Sequence, residues 1–227
     1  MAASLRTALI AAADPERARG MQAYMKSAMP YLGVSAVPLR RVCKDLFKDL
    51  SWPDSETWQR EVLAIWRVAE FREERYAAVE LTGVRVARPF HTLAALPMYE
   101  EMIVTGAWWD YVDAIASQRL WTILENEGEP MKRSMRGWST DADLWKRRSA
   151  ILCQLKAKDR TDLELLYACI EPSLDSKEFF LRKAIGWALR EYAKTDAAGV
   201  RRYVASHAAR LSGLSQREAL KNVGTGA

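Results

Sequence analysis

Almost every segment of this chain carries apolar residues at helical spacing, and this periodicity constrains the fold more than any other feature. Apolar side chains recur roughly every three to four residues, which is the spacing of one face of an α-helix. No run of alternating β-branched residues with a hairpin turn interrupts the pattern. The sequence therefore predicts an all-α fold.

Helix-start signals and short polar joints divide the chain into about a dozen helices. Asp14-Pro15 indicates an N-cap before a first-turn proline, and capping boxes are predicted at residues 161–164 and 215–218. A long helix is expected after Asp175, over residues 176–194. The breaks between helices are expected near residue 14 and at 31–36, 51–54, 86–89, 128–130, 139–141, 158–161 and 172–176.

Short joints favour antiparallel helix pairs, and a long succession of such pairs favours a stacked α-solenoid over a four-helix bundle. No convincing internal sequence repeat aligns, so the solenoid prediction depends on the joints and not on a repeat signature. No Gly/Ser-rich linker divides the chain, and a single domain over residues 1–227 is predicted.

The composition is that of a soluble globular protein, with 49% hydrophobic and 28% charged residues. Lys and Arg number 34 against 29 Asp and Glu, and this balance of +5 permits a polyanionic partner without requiring one. The Ala-rich start has too short an apolar run for a signal peptide or a membrane span, so a cytoplasmic protein is expected.

The residues that most metal and cofactor sites need are scarce. The three cysteines, Cys43, Cys153 and Cys169, are widely spaced and are interpreted as buried thiols in a reducing compartment. The two histidines lie far apart and no ligand spacing is present, so no metal is expected. The sequence also lacks phosphate-binding and dinucleotide-binding glycine loops and a nucleophilic serine elbow, so no cofactor is expected.

The run Trp108-Trp109-Asp110-Tyr111-Val112-Asp113 sets a carboxylate beside a large aromatic face. At about 100° per residue in a helix, Trp108, Val112, Ile115 and Ala116 fall on the apolar side. Trp109 and Asp113 then share the flank, where an indole and a carboxylate form a receptor for a cationic group. A surface Trp that shields a solvated Asp explains the same pattern equally well.

Trp187 points away from the core stripe expected for the helix over 176–194. That stripe consists of Leu181, Ala184, Ile185, Ala188, Leu189 and Tyr192. The outer neighbours of Trp187 are Lys183, Gly186 and Arg190, a combination that suits stacking on a nucleotide, phosphate pairing and close approach of a ligand. Packing of Trp187 against the next helix is an equally good explanation.

Arg148 falls in the middle of the apolar stripe of a helix expected over about residues 142–156. That stripe consists of Leu144, Trp145, Ile151, Leu152 and Leu155. A buried arginine must be paired, either with a carboxylate inside the protein or with a phosphate that its head emerges to bind. Structural pairing is the commoner outcome. Lys156, Lys158 and Arg160 extend a basic strip downstream, an arrangement that is usually solvated surface.

Several runs of the sequence together resemble one known family. They are YMK at 24–26 with LG at 32–33, WWDxxD at 108–113, RxxILxQLK at 148–156, and a long run from SKEFF at 176 through KAIGW to LREYAK at 194. In order, spacing and identity the chain resembles the AlkD-type DNA alkylation-repair glycosylases, which are built from HEAT-like helical repeats. The resemblance extends over about residues 14–220.

The resemblance implies one domain of antiparallel HEAT-like repeats with a concave basic groove that holds double-stranded DNA. It also implies a monofunctional glycosylase that hydrolyses the N-glycosidic bond of positively charged N3- and N7-alkylpurines, such as 3-methyladenine and 7-methylguanine. Such an enzyme does not flip the lesion into a pocket, and it initiates base excision repair. The protein is expected to be a monomer and to have no membrane partner.

The resemblance also implies roles for particular residues. Asp113 would be the catalytic carboxylate, with Trp109 and Trp187 flanking the sugar and backbone of the damaged nucleotide. Arg148 would hold the DNA backbone beside the lesion, and further DNA contacts are implied for Tyr24, Lys156 and Arg190. On the charge pattern, Lys183 and Lys158 are added as candidate DNA contacts. The N-terminal arm and residues 120–139 match less well, which leaves lesion size open.

The chemistry of a cationic base suits a site with a single carboxylate. Ordinary glycosidases use two, one of which protonates the leaving group, whereas a base that is already cationic departs without protonation. Two alternatives remain: the same fold acting on bulky minor-groove adducts, and a non-catalytic α-solenoid that binds nucleic acid or protein. An internal salt bridge between Asp113 and Arg148, away from any groove, would favour the non-catalytic scaffold.

Overall fold

A computed structural model describes residues 1–221 and residue 223, and every regular element in that part of the chain is helical. The α-helices are α1 (Ala2–Ala11), α2 (Pro15–Met25), α3 (Ala36–Phe47), α4 (Ser55–Val68), α5 (Arg72–Leu81), α6 (Leu96–Gly106), α7 (Trp109–Ala114), α8 (Trp121–Glu127), α9 (Glu129–Ser139), α10 (Leu144–Leu152), α11 (Leu163–Ile170), α12 (Phe179–Ala193), α13 (Ala197–Ser206) and α14 (Gly213–Leu220). Shorter 3-10 helices cover Arg85–Phe90, Leu93–Ala95, Lys158–Arg160 and Glu171–Ser173, and a π-helix covers Ile115–Leu120. The all-α prediction is confirmed.

The helix starts agree with the sequence in part. Asp14 caps α2 as predicted, since its carboxylate accepts a hydrogen bond from the backbone N–H of Arg17 at 3.0 Å. The cap of α11 is Asp162 and not the preceding threonine, because the Asp162 carboxylate accepts from the N–H of Leu165 at 3.1 Å. The long helix α12 begins at Phe179, three residues later than the predicted start at 176.

The capping box predicted at residues 215–218 is wrong. The helix α14 begins at Gly213, and its N-cap is Ser212, whose hydroxyl accepts from the N–H of Ser215 at 3.0 Å. Ser215 already lies inside the helix, where its own hydroxyl donates to the carbonyl of Arg182 on α12 at 3.0 Å. Glu218 is therefore free of any capping role, and it faces α12 instead.

The chain divides into two compact units, one over Met1–Met98 and one from Tyr99 onward. A single domain over the whole chain stays a prediction. In the first unit α1, α3, α4 and α5 pack together around fully buried side chains that include Leu5, Trp58 and Leu81. In the part of the chain that the structure describes, no helix is long and apolar enough to cross a membrane.

A buried carboxylate organises the segment between α2 and α3. Glu73, in the first turn of α5, accepts hydrogen bonds from the backbone N–H groups of Leu32, Gly33 and Val34 at 3.0, 2.8 and 3.1 Å. Gly33 adopts a left-handed φ of 84°, and a Cβ there would lie 2.0 Å from the carbonyl oxygen of Asp14. The Leu32-Gly33 pair therefore has a structural role.

In the second unit most helices from α8 onward pack against a helix one or two places further along the chain. Contacts join α8 to α9, α9 to α10 and α11, α10 to α12, and α12 to α13 and α14. This pattern is that of a solenoid-like helical repeat fold, as predicted. Helix α7 packs against α10, so α10 contacts both α7 and α12, which carry most of the predicted site residues.

The three cysteines are buried thiols, as the sequence predicts. Burial raises the pKa of Cys43 and of Cys169 to about 12, and it raises the pKa of Cys153 well above its ordinary value. Because a thiol reacts as its thiolate, none of the three is an activated nucleophile at neutral pH.

Candidate active site

A tight corner and an aromatic cluster position the short helix α7. Ala107, between α6 and α7, adopts a left-handed φ of 43°, which directs the chain into the Trp108-Trp109 pair. The ring of Trp108 packs against Trp145 of α10 and Phe180 of α12, with centroid distances of 6.1 and 5.5 Å. Trp108 and Trp145 therefore lie on apolar faces, as predicted, and together they fix the start of α7 against α10 and α12.

Trp109 and Asp113 share the flank of α7 that the periodicity predicts. Both side chains keep part of their surface exposed, whereas Tyr111 and Val112 of the same helix are fully buried. The hydroxyl of Ser117 donates to the backbone carbonyl of Asp113 at 2.7 Å from the π-helix that follows. The indole and the carboxylate are thus one helical turn apart on an ordered element.

Asp113 forms a bidentate ion pair with Arg148 of α10. Nε of Arg148 donates to Oδ1 of Asp113 at 2.7 Å, and Nη2 donates to Oδ2 at 2.8 Å. The remaining guanidinium nitrogen, Nη1, donates to the backbone carbonyl of Phe180 at the start of α12. The Arg148 side chain is 5% exposed and that of Asp113 is 13% exposed, so the pair is almost dry.

Arg148 therefore takes the first of the two alternatives that its place in an apolar stripe allows. Its counter-charge is a carboxylate of this chain, which is the commoner of the two outcomes. The planar fork of the guanidinium fixes both carboxylate oxygens of Asp113 and ties α7 to α12 through Phe180. Contact of Arg148 with a DNA backbone stays a prediction.

The electrostatic setting of Asp113 combines two opposing effects. Burial raises the pKa of Asp113 above its ordinary value, and the hydrogen bond and positive charge of Arg148 oppose that rise. The nearby carboxylate of Asp110 adds a smaller upward contribution to the pKa of Asp113. The charged form of Asp113 consequently depends on Arg148 for its stabilisation.

Trp187 lies on α12, two helical turns beyond Phe180 and close to the same side of that helix. Its side chain is half-buried. Lys183 and Arg190, one turn before and after it, both bind Glu218 of α14, with N–O distances of 2.9 and 2.7 Å. The two cations that the sequence places around Trp187 are therefore compensated by a carboxylate of this chain. Their predicted contacts with DNA are not tested by this arrangement.

The basic strip after α10 lines a pocket of about 500 Å³ that faces the C-terminal half of α12. Lys156 and Lys158, both exposed, lie on one wall, and Tyr192 and Lys194 lie on the other. The backbone of Lys158 adopts a left-handed φ of 56°, which turns the chain at this wall. Glu191 also lines the pocket and pairs with Lys194, so Lys156 and Lys158 are the cations left there to bind a phosphate group.

Comparison with known proteins identifies the family. The sequence model of the DNA alkylation repair enzyme family matches residues 5–223. The chain belongs to this family. A solved structure of a protein from Enterococcus faecalis, described as a predicted DNA alkylation repair enzyme, matches with a TM-score of 0.84 and 29% identity over 94% of this chain and 98% of the other. No curated protein matches the sequence.

Membership of the DNA alkylation repair family agrees with the resemblance found in the sequence, and the likeness to the solved structure confirms the predicted fold class. The structure brings Asp113 directly onto Arg148, with Trp109 one turn from Asp113. Trp187 lies on the helix that receives the third hydrogen bond of Arg148. Tyr24 is 77% exposed at the end of α2 in the first unit, and its predicted role stays untested.

Two features of this repair-family protein escape the sequence pattern. The π-helix Ile115–Leu120 begins two residues after Asp113. Turns of π-helix are rare in proteins, but where they occur they are often at functional sites. The sequence does not predict this π-helix, because the spacing of its apolar residues fits an α-helix equally well. Glu218 is the second feature. The sequence pattern places it in a capping box and so does not predict its ion pairs with Lys183 and Arg190.

Gly186, beside Trp187, is predicted from sequence to permit close approach of a ligand, but the close neighbour is α14. A Cβ at Gly186 would lie 2.5 Å from Cβ of Glu218 and 2.9 Å from the carbonyl oxygen of Ser215. Gly186→Ala should therefore lower the free energy of unfolding by about 1–3 kcal/mol, measured by urea denaturation. Gly137→Ala is the matched control, since nothing lies within 4 Å of a Cβ at this helical position. An unchanged Gly186→Ala protein would contradict the close packing.

Proposed function

We propose that this protein is a monofunctional DNA glycosylase that excises positively charged N3- and N7-alkylpurines from duplex DNA. The observation that carries the proposal is the carboxylate of Asp113, held by Arg148 in a nearly dry setting one turn from the indole of Trp109. A buried carboxylate beside an aromatic face stabilises a positive charge more strongly than the same groups in water.

Pairing with Arg148 leaves Asp113 able to act on a substrate. A carboxylate has about four acceptor positions, and the bidentate guanidinium occupies two of them. One acceptor position on each oxygen of Asp113 is therefore left for a water molecule or for the developing charge of a sugar. Arg148 acts as a positioning residue, because it orients these positions and keeps the carboxylate ionised.

Bond cleavage in this site needs no acid. The bond between C1′ and the alkylated base breaks with its electron pair going to the base, which leaves as a neutral molecule because it was cationic. Asp113 stabilises the oxocarbenium character on the sugar and orients a water molecule that adds to C1′. That water loses one proton to Asp113 and then to solvent, so the products are a free alkylpurine, an abasic site and a proton.

The aromatic and basic side chains of the second unit supply the remaining contacts of the proposal. Trp109 and Trp187 present ring faces to the damaged nucleotide and its cationic sugar. Lys156 and Lys158 bind backbone phosphates at the pocket between the end of α10 and α12, where their charges have space for an anion. Lys183 and Arg190 contribute only if DNA competes with Glu218 for them.

A non-catalytic scaffold is the competing function, and the salt bridge between Asp113 and Arg148 is the observation that favours it. Two observations weigh against it. The chain belongs to a family of DNA alkylation repair enzymes over nearly its whole length. The Asp113 side chain also keeps 13% of its surface exposed, and the guanidinium occupies only two of the acceptor positions of its carboxylate.

An excision assay on defined duplexes tests the proposal. Duplexes with a single 7-methylguanine, 3-methyladenine or bulky N3 adduct are incubated with excess protein, and free base is measured by chromatography. We expect release of both methylpurines, with an abasic strand that breaks only after alkali treatment, and no release from the unmodified duplex. Release of the bulky adduct alone would show that the substrates are bulky minor-groove adducts and not methylpurines. Absence of release from all three, with salt-sensitive DNA binding retained, would support the scaffold.

A further inference from the structure

One carboxylate on α14 binds both cations that flank Trp187. Glu218 accepts from Nζ of Lys183 at 2.9 Å and from Nη1 of Arg190 at 2.7 Å. Both cations lie one helical turn from Trp187 on α12, so an anion that binds them lies beside the turn that carries this indole. In the proposed function Trp187 contacts the damaged nucleotide. Glu218 therefore occupies a place that a backbone phosphate near that nucleotide would otherwise take.

Close packing of α14 on α12 sets the position of this carboxylate. A Cβ added at Gly186 would lie 2.5 Å from Cβ of Glu218, so the base of the Glu218 side chain rests on the glycine between the two cations. The hydroxyl of Ser215, one turn earlier on α14, donates to the carbonyl of Arg182 at 3.0 Å and joins the two helices there. Displacement of the carboxylate then requires rotation of its side chain and no movement of α14.

The cations around Glu218 outnumber it. The hydrogen bond from Lys183 lowers the pKa of Glu218. The positive charges of Arg190 and Lys221 lower that pKa further. One carboxylate therefore faces three cations, and the cluster keeps an excess of positive charge that attracts another anion. The balance is the reverse at Lys146, which binds two carboxylates.

The ion pairs of Glu218 are open to exchange with an anion from solution. The side chains of Lys183, Arg190 and Glu218 are 36%, 19% and 17% exposed. Partly exposed ion pairs contribute little free energy, because water competes for both charges. A phosphate oxygen can therefore replace the carboxylate at a small net cost.

We propose that Glu218 is an internal competitor of DNA phosphates, which keeps undamaged DNA and the abasic product weakly bound. A phosphate offers Lys183 and Arg190 the same kind of charged oxygen acceptor as a carboxylate, so the two anions exclude each other. On an undamaged duplex the exchange gains little, because the cations lose as many ion pairs as they form. The protein then binds such DNA through its other cations.

A cationic purine would move this competition toward DNA. Its attraction to the carboxylate of Asp113 and to the ring face of Trp187 adds to the binding of the phosphates, and it offsets the loss of the Glu218 ion pairs. Once the base has left, that attraction is gone, and Glu218 takes back its two cations. The competition therefore favours release of the abasic product. This inference rests on the proposed function in naming the lesion and the product.

The test compares two single substitutions of the full chain that change the net charge by the same amount. Glu218→Gln keeps the shape of the side chain and removes the charge that holds its two cations. Glu129→Gln is the matched control, since Glu129 also pairs with two cations, Lys132 and Arg136, on a helix that carries none of the proposed site residues. The Kd is measured by fluorescence anisotropy for an undamaged duplex and for one with a tetrahydrofuran abasic analogue, between about 50 and 300 mM salt. Thermal unfolding of each variant is recorded beforehand.

We expect Glu218→Gln to bind both duplexes about 3- to 10-fold more tightly than wild type. The slope of log K against log salt should become steeper by about one to two, because Lys183 and Arg190 then neutralise phosphates. Glu129→Gln should keep the wild-type slope. An unchanged slope in Glu218→Gln would overturn the proposal. Equal steepening in Glu129→Gln would also overturn it, since net charge alone would then explain the effect.

A triple variant tests the same competition from the side of the cations. Lys183→Gln/Arg190→Gln/Glu218→Gln removes all three charges together, so its result does not depend on the stability of Glu218→Gln. It should bind the undamaged duplex with the wild-type slope, because in wild type these two cations bind Glu218 and not DNA. A slope shallower than that of wild type by about two would show that both cations already bind phosphates, and it would contradict the proposal.

The excision assay on wild type separates this inference from the proposed function, since the binding test needs no release of base. Wild type that releases no base, together with a steeper slope in Glu218→Gln, would refute the glycosylase and leave the competition standing. Excision by wild type, together with an unchanged slope in Glu218→Gln, would refute the competition and leave the glycosylase standing.

Discussion

Substitution of Asp113 with asparagine should slow the release of 7-methylguanine by about 100-fold or more while the affinity for duplex DNA stays similar. The amide has nearly the shape of the carboxylate and keeps an oxygen for Arg148, but it carries no charge to stabilise the oxocarbenium character of the sugar. The measurement is single-turnover release of free base, with Kd determined on the same duplex.

The ion pair makes a stability control necessary for this variant. Asp113→Asn leaves the nearly buried guanidinium of Arg148 without a counter-charge, so unfolding must be measured alongside excision. Asp110→Asn is the matched variant, since Asp110 is a half-buried carboxylate on the same helix, and the carboxylate that Arg148 binds is that of Asp113. Asp110→Asn should excise within a few-fold of wild type. Excision by folded Asp113→Asn at the wild-type rate would refute the mechanism.

The fold class follows from the sequence because helical periodicity and caps are local properties. Asp14 illustrates the success, since a carboxylate before a proline specifies a helix start without any distant partner. The errors at Asp162 and Ser212 have the same local character. Each displaced cap is a neighbouring side chain that accepts the same kind of hydrogen bond, and periodicity alone does not choose between them.

The candidate site is predictable only to the point where tertiary contacts begin. Arg148 is identifiable as an anomaly because it interrupts an apolar stripe, yet its partner is 35 residues away on another helix. The pattern of α12 similarly predicts that Lys183 and Arg190 lie on either side of Trp187. It does not predict that both form ion pairs with Glu218 of α14. Ion pairs between helices depend on packing that no single-helix pattern contains.

Replacement of Arg148 with methionine should move the acid limb of the excision rate, plotted against pH, to higher pH. Burial already holds the pKa of Asp113 above its ordinary value, and Arg148 opposes that rise. Without the guanidinium the pKa of Asp113 rises further, so the carboxylate is protonated, and excision is lost, at a higher pH than in wild type. The measurement is the single-turnover rate between pH 5 and 9 with the uncatalysed rate subtracted, and Arg148→Lys, which keeps the charge but not the bidentate geometry, should shift less.

In the Arg148→Met variant the free energy of unfolding should also depend on pH in a defined way. Removal of one partner of a buried ion pair typically costs about 3–5 kcal/mol, because the other charge stays buried and uncompensated. A carboxyl with a raised folded-state pKa favours the folded protein only in its protonated form, so the penalty should be full above the raised pKa of Asp113 and should shrink as pH falls below it. The double variant Asp113→Asn/Arg148→Met buries no charge and should recover part of the loss at neutral pH.

These outcomes separate the two roles that Arg148 can have. If Arg148 acts through Asp113, the acid limb moves and the double variant recovers stability, while the salt dependence of DNA binding changes little. If Arg148 instead binds a backbone phosphate, its loss should weaken DNA binding and reduce the salt slope by about one, with the acid limb unmoved. The bidentate geometry at 2.7 and 2.8 Å supports the first outcome, since a guanidinium that already holds a carboxylate and a carbonyl has few donors left for a phosphate.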